Sequence, residues 1–460
     1  MQINPVVFRK YDIRGKVDED LSPEFSYLLG RAFGKVVKEL EYKKIAIGWD
    51  CRKTSKLYAE NLIKGLLEEG IDCLILGLCP TPQLYWALYN CDCDGGVEVT
   101  GSHNAVNMNG FKLCLGKQTA SSETILKIKE LMESLDKDGL RKVDKLGEKE
   151  FLECHDDYIQ DLVKRCEIPS DSKKVKVVVD AGNGAAGLTG SDALKLLGCE
   201  VIEQFCEPNG FFPNHHPDPS IPQNLKQLQE RVLAEHADLG IAWDGDGDRI
   251  GVIDEKGNYI YPDILILIYA LDVLKSENGA TIVADVKCSD KLFELIEKNG
   301  GKPVMWHSGH SLMKQKIHEL NAAIGGELSG HIFFNHRFYG FDDGSYGACR
   351  LVEILLKSNK TLSEIVNQFP PSYVSPEIRI PCPDEIKFNV IEKLKERLAE
   401  LPLTLIDGIR IKFPNGWGLI RVSNTEPCLS LRIEGETEAC LQQYRAFIEG
   451  VANETKEQLL

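Results

Sequence analysis

Three aspartates occupy alternate positions in the segment Asp244-Gly245-Asp246-Gly247-Asp248-Arg249. Carboxylates this close repel unless a cation offsets them, and the intervening glycines permit the tight turn that gathers them. Hard oxygen ligands in that number suit Mg²⁺. A solvated acidic turn is the plain alternative, and a calcium-binding EF-hand the sharper one. In an EF-hand the three aspartates would take the first, third and fifth ligand positions, with Glu255 at the last. That loop requires Gly at its sixth position, where this chain has Arg249, and the flanking segments read as strands. The EF-hand is rejected.

A second set of residues handles phosphate and hydroxyl groups. Ser102 stands in Thr100-Gly101-Ser102-His103-Asn104. A serine hydroxyl becomes a nucleophile only beside a base or a metal, and read alone this segment is a turn or a helix cap. Its neighbour His103 is not assumed to be its base. Lys112 ends the segment NGFK. Glu327, Ser329 and His331 crowd the turn GELSGH, where they offer acceptors and donors to sugar hydroxyls. Lys287 ends ATIVADVK, and His310 precedes a helix. Arg421, Ser423, Asn424 and Thr425 bring a guanidinium, hydroxyls and loop N–H groups into five residues, which are phosphate-binding tools. His215 and His216 resemble a metal pair but lie between prolines, which reads as a rigid linker. Asp342 and Asp343 read as a helix cap.

One segment points elsewhere. Gly182-Asn183-Gly184-Ala185-Ala186-Gly187 follows a strand and opens a helix, with Glu203 about 20 residues on, as in a dinucleotide-binding turn. An NAD-dependent enzyme is therefore a rival reading, although it leaves the acidic loop unexplained.

The elements that must position these loops alternate between strand and helix. Strands at 43–49, 72–78 and 95–100 begin the series. The rhythm continues with strands at 174–181, 199–205, 237–243 and 250–254, then at 280–286, 303–306 and 322–328, with helices between many of them. Such alternation argues for largely parallel α/β sheets, whose functional loops lie at the carboxyl ends of strands. Beyond about residue 367 the strands become paired, and a helix follows from about Glu438. The expected layout is three similar mixed α/β domains and a C-terminal α+β domain with an antiparallel sheet. The expected boundaries are 1–149, 150–254, 255–367 and 368–460.

The 460 residues carry a net charge of −16, which argues against binding nucleic acid or an anionic membrane surface. No apolar run approaches the length of a membrane span, and the N-terminal segment lacks the order of a signal peptide. The 15 cysteines are scattered without a CxxC pair, as expected of thiols in a reducing cytoplasm.

Taken in order, FRKYDIRG, TGSHN, NGFK, PNHHPDP, WDGDGDR, GELSGH and RVSNTEP resemble the α-D-phosphohexomutase family nearly end to end. GELSGH is similar to the glucose/mannose branch. The resemblance implies four domains around a central cleft, a small phosphosugar as the substrate and a cytoplasmic monomer. It implies a phosphosugar mutase that interconverts hexose 1- and 6-phosphates through phospho-Ser102 and a hexose 1,6-bisphosphate. By matching motif, Asp244, Asp246, Asp248 and the serine phosphate would hold Mg²⁺. Glu327, Ser329 and His331 would read the sugar. Arg421, Ser423, Asn424 and Thr425 would clamp the far phosphate, and Tyr11, Arg14, Lys112, Arg249, Lys287 and His310 would line the reacting side. Arg14, Lys112 and His331 are the candidates for proton transfer. Two departures stand out. Ala105 replaces a usual proline, which is expected to alter the stiffness of the serine loop. Trp49 replaces a usual arginine, which is expected to change domain packing.

Overall fold

The computed structural model describes residues 3–138, 145–423 and 427–460. The chain builds four sheets in sequence. In the first, the strands lie in the order Ile13–Lys16, Met108–Leu115, Gly95–Val99, Lys44–Trp49, Asp72–Leu78 and Lys149–Phe151. The second runs Tyr259–Ile260, Ile250–Asp254, Leu239–Trp243, Lys176–Asp180, Glu200–Gln204. The third runs Lys302–Trp306, Thr281–Asp285, Ile324–Gly326, Ile332–Phe334. Parallel strands form the centre of each, and helices cover them. Leu239–Trp243 is buried at every position, as a strand covered on both faces must be.

One device recurs in all three sheets. A parallel strand is followed at once by an antiparallel partner: Gly95–Val99 by Met108–Leu115, Leu239–Trp243 by Ile250–Asp254, and Ile324–Gly326 by Ile332–Phe334. The connections, 100–107, 244–249 and 327–331, therefore emerge at the carboxyl ends of parallel strands. They are the serine, acidic and GELSGH loops.

The fourth sheet is antiparallel, in the order Tyr373–Val374, Cys428–Gly435, Gly416–Val422, Ile409–Phe413, Leu403–Thr404, with Ile378–Pro381 also on Cys428–Gly435. Helices Asp384–Arg397 and Glu438–Glu457 pack on it, closing a separate core around Val390, Leu394, Ile411, Leu431 and Ile448. By contrast, one continuous core runs from the first sheet through the second into the third, from Leu84 and Trp86 through Tyr158 and Trp243 to Tyr269 and Phe334. The fourth unit meets the third through a seam that joins a small apolar cluster of Val286, Trp417 and Leu419 to polar contacts. There Arg410 stacks on Trp417 with the guanidinium 3.6 Å from the ring centroid, donates to the Cys288 carbonyl at 2.9 Å and pairs with Asp290 at 2.5 Å.

The helix Thr81–Asn90 was not anticipated from sequence. It is buried over most of its length, so it lacks the one-sided apolar stripe by which a helix is recognised. The helix expected after the Asp342-Asp343 cap is present as Gly344–Ser358. Trp49 lines an outer cavity with Ile63 and Phe151, both of the first unit's own segments.

Candidate functional site

The serine loop is held from beneath by the turn that follows strand Lys44–Trp49. Asp50 accepts hydrogen bonds from Thr100 Oγ1 at 2.7 Å and from the Gly101 N–H at 3.1 Å. The Arg52 guanidinium donates to four carbonyls: Ser102 at 2.8 Å, Asn104 at 2.6 Å, Ala105 at 2.7 Å and Met108 at 3.0 Å. Buried carbonyls need donors, and one planar fork supplies them all. Arg52 thus ties the loop's carbonyls together from beneath. Sequence reasoning missed Asp50 and Arg52, although they flank the departure noted at Trp49.

Ser102 is 2% exposed and sits in the left-handed region at φ +48°. Its hydroxyl donates to Asp244 Oδ2 at 2.9 Å. The loops meet so closely that a Cβ at Gly245 would be driven into the Ser102 carbonyl oxygen. Glycine is required there by clearance alone.

The acidic loop joins the first unit through Lys112, whose ammonium lies 2.6 Å from Asp246 Oδ2 and 2.5 Å from Asp248 Oδ2. Thr81 Oγ1 adds a hydrogen bond to Asp246 Oδ2 at 2.6 Å. Burial opposes the charge on Lys112, but Asp246 and then Asp248 outweigh it and raise its pKa. Burial likewise opposes the charge on Asp246, but Lys112 prevails and holds that carboxyl below the usual range. Asp244 fares differently. Burial, then the charges of Asp248 and Asp246, push its carboxyl well upward. A site with this imbalance calls for another cation. Asp246 Oδ1 and Asp248 Oδ1 are buried and have no hydrogen-bond partner among the described residues. Ligand oxygens of Asp244, Asp246 and Asp248 converge to within 4.8 Å of one another. All are hard oxygens, so the donor set fits a small divalent cation.

Arg249 links the acidic loop to the other two. Its Nε donates to His331 Nε2 at 3.1 Å, and its Nη2 lies 3.4 Å from His103 Nε2. Burial, then Arg249 and Arg14, push His103 well below the ordinary imidazole range, so the ring is neutral. With Nε2 facing a donor, the proton resides on Nδ1, which stands 3.1 Å from Ser102 Oγ. A proton-carrying Nδ1 donates to the serine oxygen. His103 therefore touches Ser102, against the rule that sequence neighbours face apart, but it orients the hydroxyl toward Asp244 and does not deprotonate it.

In the third unit, His331 Nδ1 lies 3.0 Å from Asp342 Oδ2 and 3.5 Å from Asp248 Oδ1, and its ring stacks on His310 at 5.6 Å. Asp342 also accepts from Lys314 at 3.0 Å. The pair expected as a cap thus divides. Asp343 caps helix Gly344–Ser358 by accepting from the Tyr346 N–H at 2.8 Å, whereas Asp342 faces the site. Adjacent residues in extended backbone point opposite ways, which the type of residue alone does not reveal. Glu327 is buried and accepts from the Gly309 N–H, and burial raises its pKa. Lys287 pairs with Asp285 at 3.2 Å. Arg14 pairs with Asp12 at 2.6 Å. Tyr11 is half-buried and lines a neighbouring cavity with Ser311.

The fourth loop stands across a gap. Arg421 lines a cavity of about 220 Å³ together with Lys287, Ser329 and Arg432. Arg421 pairs with Asp407 at 3.1 Å, and Ser423 N–H donates to the Cys428 carbonyl at 3.0 Å. Asn424 and Thr425 lie outside the described residues. Arg432 was missed from sequence. Its place opposite Leu419 in the strand register puts it on the same face as Arg421, two positions along. His215 and His216 form no metal pair. His215 contacts Asp180 at 3.0 Å, behind the Gly182 turn, and that turn packs on the Gly245 carbonyl through the Ala185 N–H at 2.9 Å. The turn that resembled a dinucleotide site thus supports the acidic loop.

A buried serine on an acidic cation site, faced by a cationic gap, is the equipment of a phosphoryl-transfer enzyme. Comparison with known proteins is specific. Successive segments match "Phosphoglucomutase/phosphomannomutase, alpha/beta/alpha domain I" at 5–139, domain II at 156–257, domain III at 261–373 and the C-terminal domain at 377–451. A phosphomannomutase/phosphoglucomutase of Pseudomonas putida is 44% identical, covering 95% of this chain and 94% of the relative. A phosphoglucomutase of Neisseria meningitidis serogroup A is 40% identical over 97% of each. A crystal structure of a phosphoglucomutase/phosphomannomutase family protein from Burkholderia thailandensis superposes with a TM-score of 0.92 at 35% identity, covering 99% of this chain and 98% of that one. The chain belongs to the phosphoglucomutase/phosphomannomutase family, the α-D-phosphohexomutases.

Proposed function

We propose that this protein interconverts the 1- and 6-phosphates of mannose and glucose, carrying the phosphoryl group on Ser102. The observation that carries the reading is the contact of Ser102 Oγ with Asp244 inside the acidic cluster, with the cationic gap opposite. Asp244, Asp246 and Asp248, with the serine phosphate, would hold Mg²⁺, which when bound offsets charge on the transferring group.

The chain's own residues do the rest. A sugar hydroxyl oxygen attacks the phosphorus of phospho-Ser102, the bond to Ser102 Oγ breaks, and the hydroxyl proton passes to a base. Lys112 and Arg14 are held protonated by their carboxylate partners, which leaves His331, with Nδ1 toward Asp342, to accept it at Nε2 once that atom exchanges the Arg249 N–H for the sugar hydroxyl. Arg14, Lys112 and Arg249 offset charge around the reacting group. Glu327 and Ser329 read the sugar, with Lys287, His310 and Tyr11 beside them. Arg421, Ser423, Asn424 and Thr425, with Arg432, hold the far phosphate. The hexose 1,6-bisphosphate then reverses in the cleft, and its other phosphoryl group returns to Ser102. Near-complete burial of Ser102 favours transfer over hydrolysis.

The four sheets support four units, with the first two joints a few residues beyond 149 and 254, since the first sheet takes in Lys149–Phe151 and the second Tyr259–Ile260, and the third near 367. All loops of the cleft come from one chain, which supports action as a monomer. No described helix is long and apolar enough to cross a membrane, and all 15 cysteines are free thiols, which supports a cytoplasmic setting. The deciding assay supplies mannose 1-phosphate, Mg²⁺ and a trace of hexose 1,6-bisphosphate. Mannose 6-phosphate is the expected product; release of inorganic phosphate alone would refute a mutase.

A further inference from the structure

A cavity of about 370 Å³ lies on the seam between the first and third units, beside the cleft. One wall comprises Lys117, Thr119 and the start of helix Ser122–Asp138; the other is a face of helix His310–Leu320 that includes Ser311 and Lys314.

Its lining suits an oxyanion. Lys117 and Lys314 stand on opposite walls, and Glu123 is the one carboxylate among the lining residues. Helix His310–Leu320 starts at Gly309 with no side-chain cap, so N–H groups of its first turn, where Ser311 lines the cavity, are available to an acceptor. A separate observation concerns side chains. Ser311 is 8% exposed, and its Oγ has no hydrogen-bond partner among the described residues. Thr119 Oγ1, on the other wall, is also buried and unpartnered among them. The lysines are partly engaged: Lys314 bonds to Asp342 at 3.0 Å and stands over the Tyr85 ring, and Lys117 stands over the Tyr89 ring. An ammonium has three donors, so both retain capacity.

We propose that this cavity binds phosphate, free or as the end of a phosphomonoester, at a second site that adjoins the substrate cleft and shares Tyr11 with its edge. The site also has a line to the chemistry, because the Asp342 carboxylate that Lys314 holds is the one facing His331.

The proposal does not depend on the mutase reading and is tested without turnover. The full-length Ser102→Ala protein is titrated calorimetrically with inorganic phosphate and, separately, with glycerol 2-phosphate. Two classes of phosphate site are expected. Arg421→Ala should weaken one. The double variant Lys117→Gln, Thr119→Val should weaken the other at least about tenfold while leaving the melting temperature and the turnover of the Ser102 enzyme unchanged. Binding of both ligands at the second site identifies a monoester site, and binding of phosphate alone a free-phosphate site. A single site abolished by Arg421→Ala, or two sites untouched by the double variant, overturns the proposal. Loss with the double variant but not with Arg421→Ala would sustain it and count against the far-phosphate clamp instead.

Discussion

Three of the cleft's loops are locked together, and the fourth is not. Serine, acidic and GELSGH loops bond directly through Ser102–Asp244, Lys112–Asp246 and Arg249–His331, above a core that the first three units share. The Arg421 loop rises from its own core and faces them across an open cavity. The reacting side is thus assembled before substrate arrives, while the side that grips the far phosphate has room to move. A reaction that must turn its intermediate end for end needs this asymmetry: fixed geometry where bonds change, and slack where the spectator group is held.

The largest test removes the carrier from the locked side. Ser102→Ala should abolish labelling by radioactive hexose 1,6-bisphosphate and lower kcat at least about 10⁴-fold; labelling at another residue would move the carrier elsewhere. Next comes the support beneath it. Arg52→Leu strips four carbonyls of their donor and removes the cation that stands 3.2 Å from the buried Asp50 carboxylate. Urea unfolding should show a loss of about 3 kcal/mol, and an unchanged midpoint would mean that the loop holds itself. Asp246→Asn weakens the cation site and half of the Lys112 clamp. It should cost about 100-fold in kcat and shift the Mg²⁺ requirement upward, as titration of activity with the metal would show.

On the open side the effect should be milder and different in kind. Arg421→Ala should raise KM about thirtyfold, equivalent to about 2 kcal/mol, with the melting temperature unmoved. A fall in stability as large as that of Arg52→Leu would erase the distinction between the two sides. The smallest effect concerns acid. Burial, then Arg350 and Arg337, lower His336 in the shared body to about 4, against about 6.5 when unfolded. Between those values the unfolded chain binds more protons at this residue, so stability falls as pH drops from 6.5 to 4. His336→Gln should flatten the melting temperature over that interval, measured by calorimetry.

What sequence revealed follows the same division. The alternation of strand and helix disclosed three α/β sheets, and the paired strands after residue 367 disclosed the fourth. The aspartates were recognisable because carboxylates so close together call for a cation, whereas Ser102 and Lys112, ordinary when read alone, were singled out by the motifs that resemble the family. Asp50 and Arg52 escaped notice, and Asp342 was read as part of a cap, because their roles lie in whom they meet. Arg52 reaches Met108 across 56 positions, and Asp342 differs from its capping neighbour only in the direction it faces. Arg432 escaped for a related reason: only strand register places it beside Arg421.

The clearance at Gly245 bears on how such a protein can be recombined. Ser102 and Gly245 belong to loops of different sheets, and a crossover after Lys149–Phe151, the last strand of the first sheet, would draw the two loops from different parents. Their fit rests on a missing carbon atom, so a hybrid whose second parent carried alanine at this position would fold both sheets and still force its serine off the acidic cluster. Inheritance of the serine loop and the acidic loop is therefore tied, although 142 residues separate Ser102 from Asp244.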